Sequence, residues 1–105
     1  MRDIAESDWK KFSKLRPIAL ARLSQQILDE CLPICQDSSR PAHERYIELY
    51  RLIHERDKDI AAVFNDFRRS TAEMRLLQMA QLGLVTDEEL EPFSPELREH
   101  LHKWR

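Results

Sequence analysis

Apolar positions recur at helical spacing along almost the whole chain. Trp9, Phe12 and Leu15 fall three apart behind Ser7 and Asp8, which suit an N-cap and a first turn where a negative charge meets the helix dipole. Pro17 disfavours helical geometry at Arg16 and is well tolerated in a first turn, so a short helix is expected to end there and a second to begin. The second runs from Pro17 to about Gln36 through Leu20, Leu23, Ile27, Cys31 and Ile34. Ile18, Ala21, Leu28 and Leu32 widen its stripe, and Pro33 is expected to kink or fray its last turn. Residues Asp37-Ser38-Ser39-Arg40-Pro41 form the one clear loop, with the proline placed to open the next helix.

From Pro41 the 3–4 rhythm continues through Tyr46, Tyr50, Ile53, Ile60, Phe64, Phe67 and Met74 to Leu82. Unbroken, that stretch would span about 63 Å at 1.5 Å per residue. A compact domain of this length has a gyration radius of about 13 Å and is roughly 35 Å across. The helix must break, or protrude and find a partner. The polar run His54–Asp59 is the preferred break, because it interrupts the apolar stripe and offers aspartate caps for a new helix before Ile60. Ser70-Thr71-Ala72-Glu73, with capping-box spacing and Asn65-Asp66 just upstream, is the other. Gly83 supplies a left-handed C-cap with Leu84 folding back. Thr86-Asp87-Glu88-Glu89 is a capping box for a helix that Pro92 limits to about one and a half turns. Ser94-Pro95-Glu96 opens a last helix through Leu97, Leu101 and Trp104.

Composition agrees with this layout. A chain of 105 residues suits a single domain, residues 1–105, with no room for a second core. Its one glycine, Gly83, is too few for the tight turns of a β fold. The expectation is an all-α protein, a compact bundle of three to five helices, able to dimerise. Its core is read as Trp9, Phe12, Leu23, Ile27, Tyr50, Ile53, Ile60, Phe64, Phe67, Met74 and Leu77. A net charge of −2 gives no general pull toward nucleic acid or anionic lipid. No membrane association is expected, since no window approaches the roughly 18 apolar residues of a span. The polar start lacks the apolar stretch of a secretory signal, and two cysteines make no disulfide framework, so a cytoplasmic protein is expected.

Candidate chemistry is sparse. Cys31 and Cys35 lie four apart on one helical face, and His100 and His102 lie on the last helix; thiolates and imidazoles are zinc ligands. Two histidines two apart point in different directions, and Cys31 shares the apolar stripe, so both cysteines read as core residues and no metal or cofactor is expected. Glu99 and His102 have the spacing of a di-iron half-site, but the second such pair and the extra glutamates are missing. The segment Gln78–Leu90 imitates a helix-turn-helix, yet Asp87, Glu88, Glu89 and Glu91 would face phosphates. No Gly-rich phosphate loop or local nucleophile motif occurs. The residues placed for an electrostatic contact are Lys10, Lys11, Lys14, Arg16 and Arg22, offset by Asp3, Glu6 and Asp8.

The stretches HERYIELYRLIHERDKDIAAVFNDFRRSTA and LGLVTDEELEPFSPE resemble a family of small bacterial proteins of unknown function. The resemblance covers a little under half the chain and implies a bacterial source and a helical fold, with no activity to carry over. The functional expectation is a non-catalytic protein-interaction or assembly module. Its interface is read as Tyr46, Tyr50, Ile53, Phe64 and Phe67, and its partner as a second copy or another protein. A nucleic-acid-associated regulator using the basic N-terminal helix is the alternative, and a small metal-binding protein or enzyme the third.

Overall fold

The structure, a computed structural model, describes residues 4–104; Asp3, counted above against the basic helix, lies outside them. Five helices follow one another: α1 (Glu6–Gln36), α2 (Ala42–Phe64), α3 (Ala72–Gln81), α4 (Asp87–Leu90) and α5 (Pro95–Trp104). A single 3-10 turn, Arg69–Thr71, precedes α3, and the described residues contain no strand. The all-α class holds, but the bundle is not compact. Its radius of gyration is 16.9 Å and its extents are 53 × 24 × 23 Å, against about 13 Å for a compact chain of this length.

Three of the expected helix boundaries are corrected. α1 is continuous through Pro17 and Pro33. Each proline withholds one N–H from the carbonyl four residues back, but both lie on the exposed side of the helix, where water can take its place. The buried stripe Phe12, Leu15, Ala19, Leu23 and Ile27 runs past Pro17 on the other side and holds the helix in register. Ser7 does not cap it; the N-cap is Ala5, with no side-chain bond. α2 likewise runs straight through His54–Asp59, and the chain breaks later, after Phe64. The polar run needs no break because it lies on a part of α2 that is never fully buried. There Arg56 meets both Glu30 (3.1 Å) and Asp59 (2.6 Å).

At the start of α3 the expected Ser70–Glu73 capping box does not form, Thr71 being the N-cap with no side-chain bond, whereas the ends at Gly83 and Thr86 follow expectation. Gly83 takes φ 72°, and its N–H bonds the Ala80 carbonyl while the Leu84 N–H bonds that of Met79, the paired pattern of a glycine-terminated helix. Thr86 and Glu89 exchange both capping-box bonds at the start of α4.

The core lies at one end of the molecule. α3 packs against α1, α2 and α5, burying Ala72, Leu76 and Met79 completely. Leu84, Val85, Leu90, Phe93, Leu97 and Leu101 close this head from the C-terminal side. Asp8 is also buried, at 2% exposure. Its carboxylate accepts hydrogen bonds from the Ser94 N–H (2.9 Å) and hydroxyl (2.6 Å). Ser94 in turn caps α5 by accepting from the Leu97 N–H. The expected core is corrected at four positions, since Tyr50, Ile53, Phe67 and Met74 are exposed.

Candidate functional site

Beyond Ile27 on α1 and before Val63 on α2, no residue is fully buried. Here the two helices leave the head as an antiparallel arm joined by the Asp37–Pro41 turn. Asp37 closes that turn by accepting from the Ser39 N–H and hydroxyl, which hold its carboxyl below the usual range. Arg45 fastens the other side by donating to the carbonyls of Cys35 (2.7 Å) and Arg40 (3.1 Å).

The seam between the helices is marked by half-buried side chains, Cys31 and Ile34 on α1 and Leu49, Leu52, Arg56 and Ile60 on α2. One residue further along either helix is a rotation of about 100°. That step leads to Leu28, Leu32 and Cys35 on α1, and to Tyr46, Tyr50 and Ile53 on α2. Because the helices are antiparallel, equal rotations in chain direction bring both sets to the same side of the arm. Leu28, Leu32, Tyr46, Tyr50 and Ile53 are between 48% and 65% exposed. Tyr46 stacks on His43 and Tyr50 on His54, each pair with ring centroids 6.1 Å apart, so the phenols lie along the helix. The opposite side of the arm carries Gln26, Glu44, Arg51, Glu55 and Lys58. The arm is amphipathic as a unit.

The proposed interface residues therefore divide. Tyr46, Tyr50 and Ile53 sit together on the open face. Phe64 is 3% exposed and belongs to the core of the head, a correction to its place in the interface. Phe67 lies just past the end of α2, stacked on Trp9 (4.8 Å between centroids) with the Arg16 guanidinium 4.7 Å from its ring. Leu28 and Leu32 complete the face from α1. In the sequence they are legible only as the edge of a core stripe, because nothing in α1 alone says which part of it α2 covers.

The five basic residues of the N-terminal helix do not form one free patch. Arg16 donates to the Phe64 carbonyl and lies over Phe64 and Phe67. Arg22 makes a two-pronged pair with Glu89 (2.6 and 2.9 Å) and donates to the Leu84 carbonyl (2.9 Å). The pairing with Glu89 raises the Arg22 pKa, and Arg22, with the Thr86 N–H, pulls the Glu89 carboxyl down to about 2. Lys11 donates to the Pro92 carbonyl. Lys10 and Lys14 are exposed.

Neither thiol is a core residue in the full sense. Cys31 is half-buried and Cys35 exposed, both unpaired by disulfide. Desolvation, with the neighbouring Cys35 and Glu30, raises the Cys31 pKa. His100 bonds Glu73 at 2.8 Å, and His102 lines an open cleft of about 240 Å3 between α4 and α5. Leu90 and Leu101 floor that cleft, with Asp87, Glu91 and Arg98 around it; it is smaller than the roughly 300–1,000 Å3 of usual ligand pockets. Among the described residues no three His, Cys, Asp or Glu side chains are placed to hold one metal ion. None of the described helices is long and apolar enough to cross a membrane. No family model, curated protein or solved structure matches the chain.

Proposed function

We propose that this chain is a non-catalytic protein-interaction module of the cytoplasm, and that a partner protein covers the apolar face of its arm. One observation carries the reading: five large apolar side chains from two helices are held side by side in solvent. Single exposed apolar residues are ordinary, but a contiguous group rimmed by polar residues marks a contact surface. Tyrosines supply a large contact area at low cost in rotamer entropy and are frequent anchors of interfaces. The head supplies the stability, and the arm presents the surface.

The test is a photo-crosslinking residue placed at Tyr50 in the native cell, with a second variant carrying it at Lys58 on the polar side. A discrete protein adduct is expected from position 50 and none from position 58. Equal labelling from both, or none from either, would remove the docking reading.

A further inference from the structure

We infer that the partner on the arm is a second copy of this chain, seated face to face across a two-fold axis. The inference rests on the docking reading above and adds the identity of the occupant. Its first support is area. Leu28, Leu32, Tyr46, Tyr50 and Ile53 together expose on the order of 600 Å2, the upper end of the largest patch a soluble monomer carries. Two such faces brought together bury about 1,200 Å2, the lower end of what specific stable interfaces bury. The face is the right size to be half of a modest, reversible dimer.

The second support is charge. None of the five side chains is a carboxylate, an amine, a guanidinium or an imidazole, and Cys35 beside them is a small thiol. A face of this kind stacks on its own copy without bringing like charges together, the usual obstacle to self-association. It also offers a charged partner no complementary ion. Asp57, one turn toward the head from Ile53, bounds the face on α2.

A membrane surface is the obvious competitor for an amphipathic arm, and the charges disfavour it. Residues 28–59 hold eight acidic and five basic side chains, a net charge of −3. Interfacial helices flank their apolar face with lysine and arginine to meet anionic headgroups. Here the residues flanking the tyrosines are His43 and His54. A flat face two helices wide instead matches an identical face, giving a four-helix layer in which each seam runs antiparallel. Closed two-fold dimers are also the commonest soluble assembly.

Sedimentation equilibrium of the purified chain decides the question. A self-association with a micromolar dissociation constant is expected, moving from 12.6 kDa toward twice that mass as concentration rises. The exposed substitutions Leu28→Lys and Tyr50→Lys should weaken it at least about tenfold while leaving the helical circular dichroism unchanged. Lys58→Glu on the other side should leave it within about twofold. A species that stays at 12.6 kDa at high micromolar concentration overturns the inference, as does a dimer indifferent to both lysine variants. The mass of the Tyr50 photo-adduct separates the two readings. An adduct of two chains supports the second copy, and one of any other mass, with a monomeric purified chain, defeats it while leaving the docking reading standing. Binding to phosphatidylserine vesicles that is lost in Tyr50→Lys would defeat both.

Discussion

Leu23 and Leu28 lie five residues apart on one helix and live in different environments. Leu23 is 1% exposed inside the head, and Leu28 is 61% exposed on the arm. The whole molecule divides along the same line. Every fully buried residue among those described lies in Ile4–Ile27 or Val63–Leu101, and the intervening hairpin has only a half-buried seam. The difference shows that helix continuity and core membership are separate questions. A helix can be carried far beyond its core by propensity, one partner helix and ion pairs such as Arg40–Glu48 and Arg56–Glu30. What it then presents to solvent is free to serve something other than stability.

The comparison is broken most severely by emptying the head. Leu76→Ala removes a wholly buried side chain from α3 and should cost about 3–4 kcal/mol in urea unfolding. The matching change in the arm, Leu52→Ala in the half-buried seam, should cost about 1 kcal/mol or less, because its site is already open to water. Equal losses would mean that the arm is as tightly held as the head.

A smaller effect sharpens the same boundary through pH. Glu89 is held near 2 from an ordinary value of 4.5, first by Arg22 and then by the Thr86 N–H. Its contribution to stability is therefore complete above about 4.5 and is lost as pH falls through about 2. Glu89→Gln should lower stability by about 1–2 kcal/mol at neutral pH and flatten the acid limb between those values. Amide exchange should quicken first in α4 and leave the arm unchanged. An acid limb that keeps its slope in the variant would show that the clamp on α1 is carried by other groups.

The gentlest probe reads solvent access directly. In dilute solution, below the dissociation constant of the dimer, Cys35, exposed near the tip of the arm, should react readily with a neutral thiol reagent. Cys31, half-buried in the seam with its pKa raised, should react about tenfold more slowly in the folded protein. Equal rates would mean that the seam opens as freely as the tip.

The features legible in the sequence are those set by local backbone chemistry. Gly83, Thr86 with Glu89, Ser94-Pro95 and the Asp37–Pro41 turn each behave as their residue types require, because a cap is satisfied within one turn. The features that are not legible depend on which side of a helix another element covers. α2 carries Tyr46, Ile47, Leu49, Tyr50, Leu52 and Ile53, a band wider than a two-helix seam can bury. Periodicity alone favours the tyrosine stripe as core, but the seam takes Leu49 and Leu52 and leaves Tyr50 and Ile53 outside. Pro17 misleads for a related reason: its cost depends on whether the freed carbonyl meets water, which depends on the final packing. Asp8 reads as an ordinary first-turn acid, and only the distant Ser94 gives it a reason to be buried.

That bond between Asp8 and Ser94 joins positions 86 residues apart, so it cannot form until nearly the whole chain has been made. The buried stripe of α1 emerges from the ribosome early and has nothing to cover it until α3 and α5 have followed. The hairpin, whose partners meet across one short turn, needs only a small loop to close and can zip as soon as α2 is made. The head must wait for nearly the whole chain, with Phe12, Leu23 and the Asp8 carboxylate wet in the meantime. By loop length alone the arm is the first part able to close and the head the last, whereas the side chains that are fully buried belong to the head.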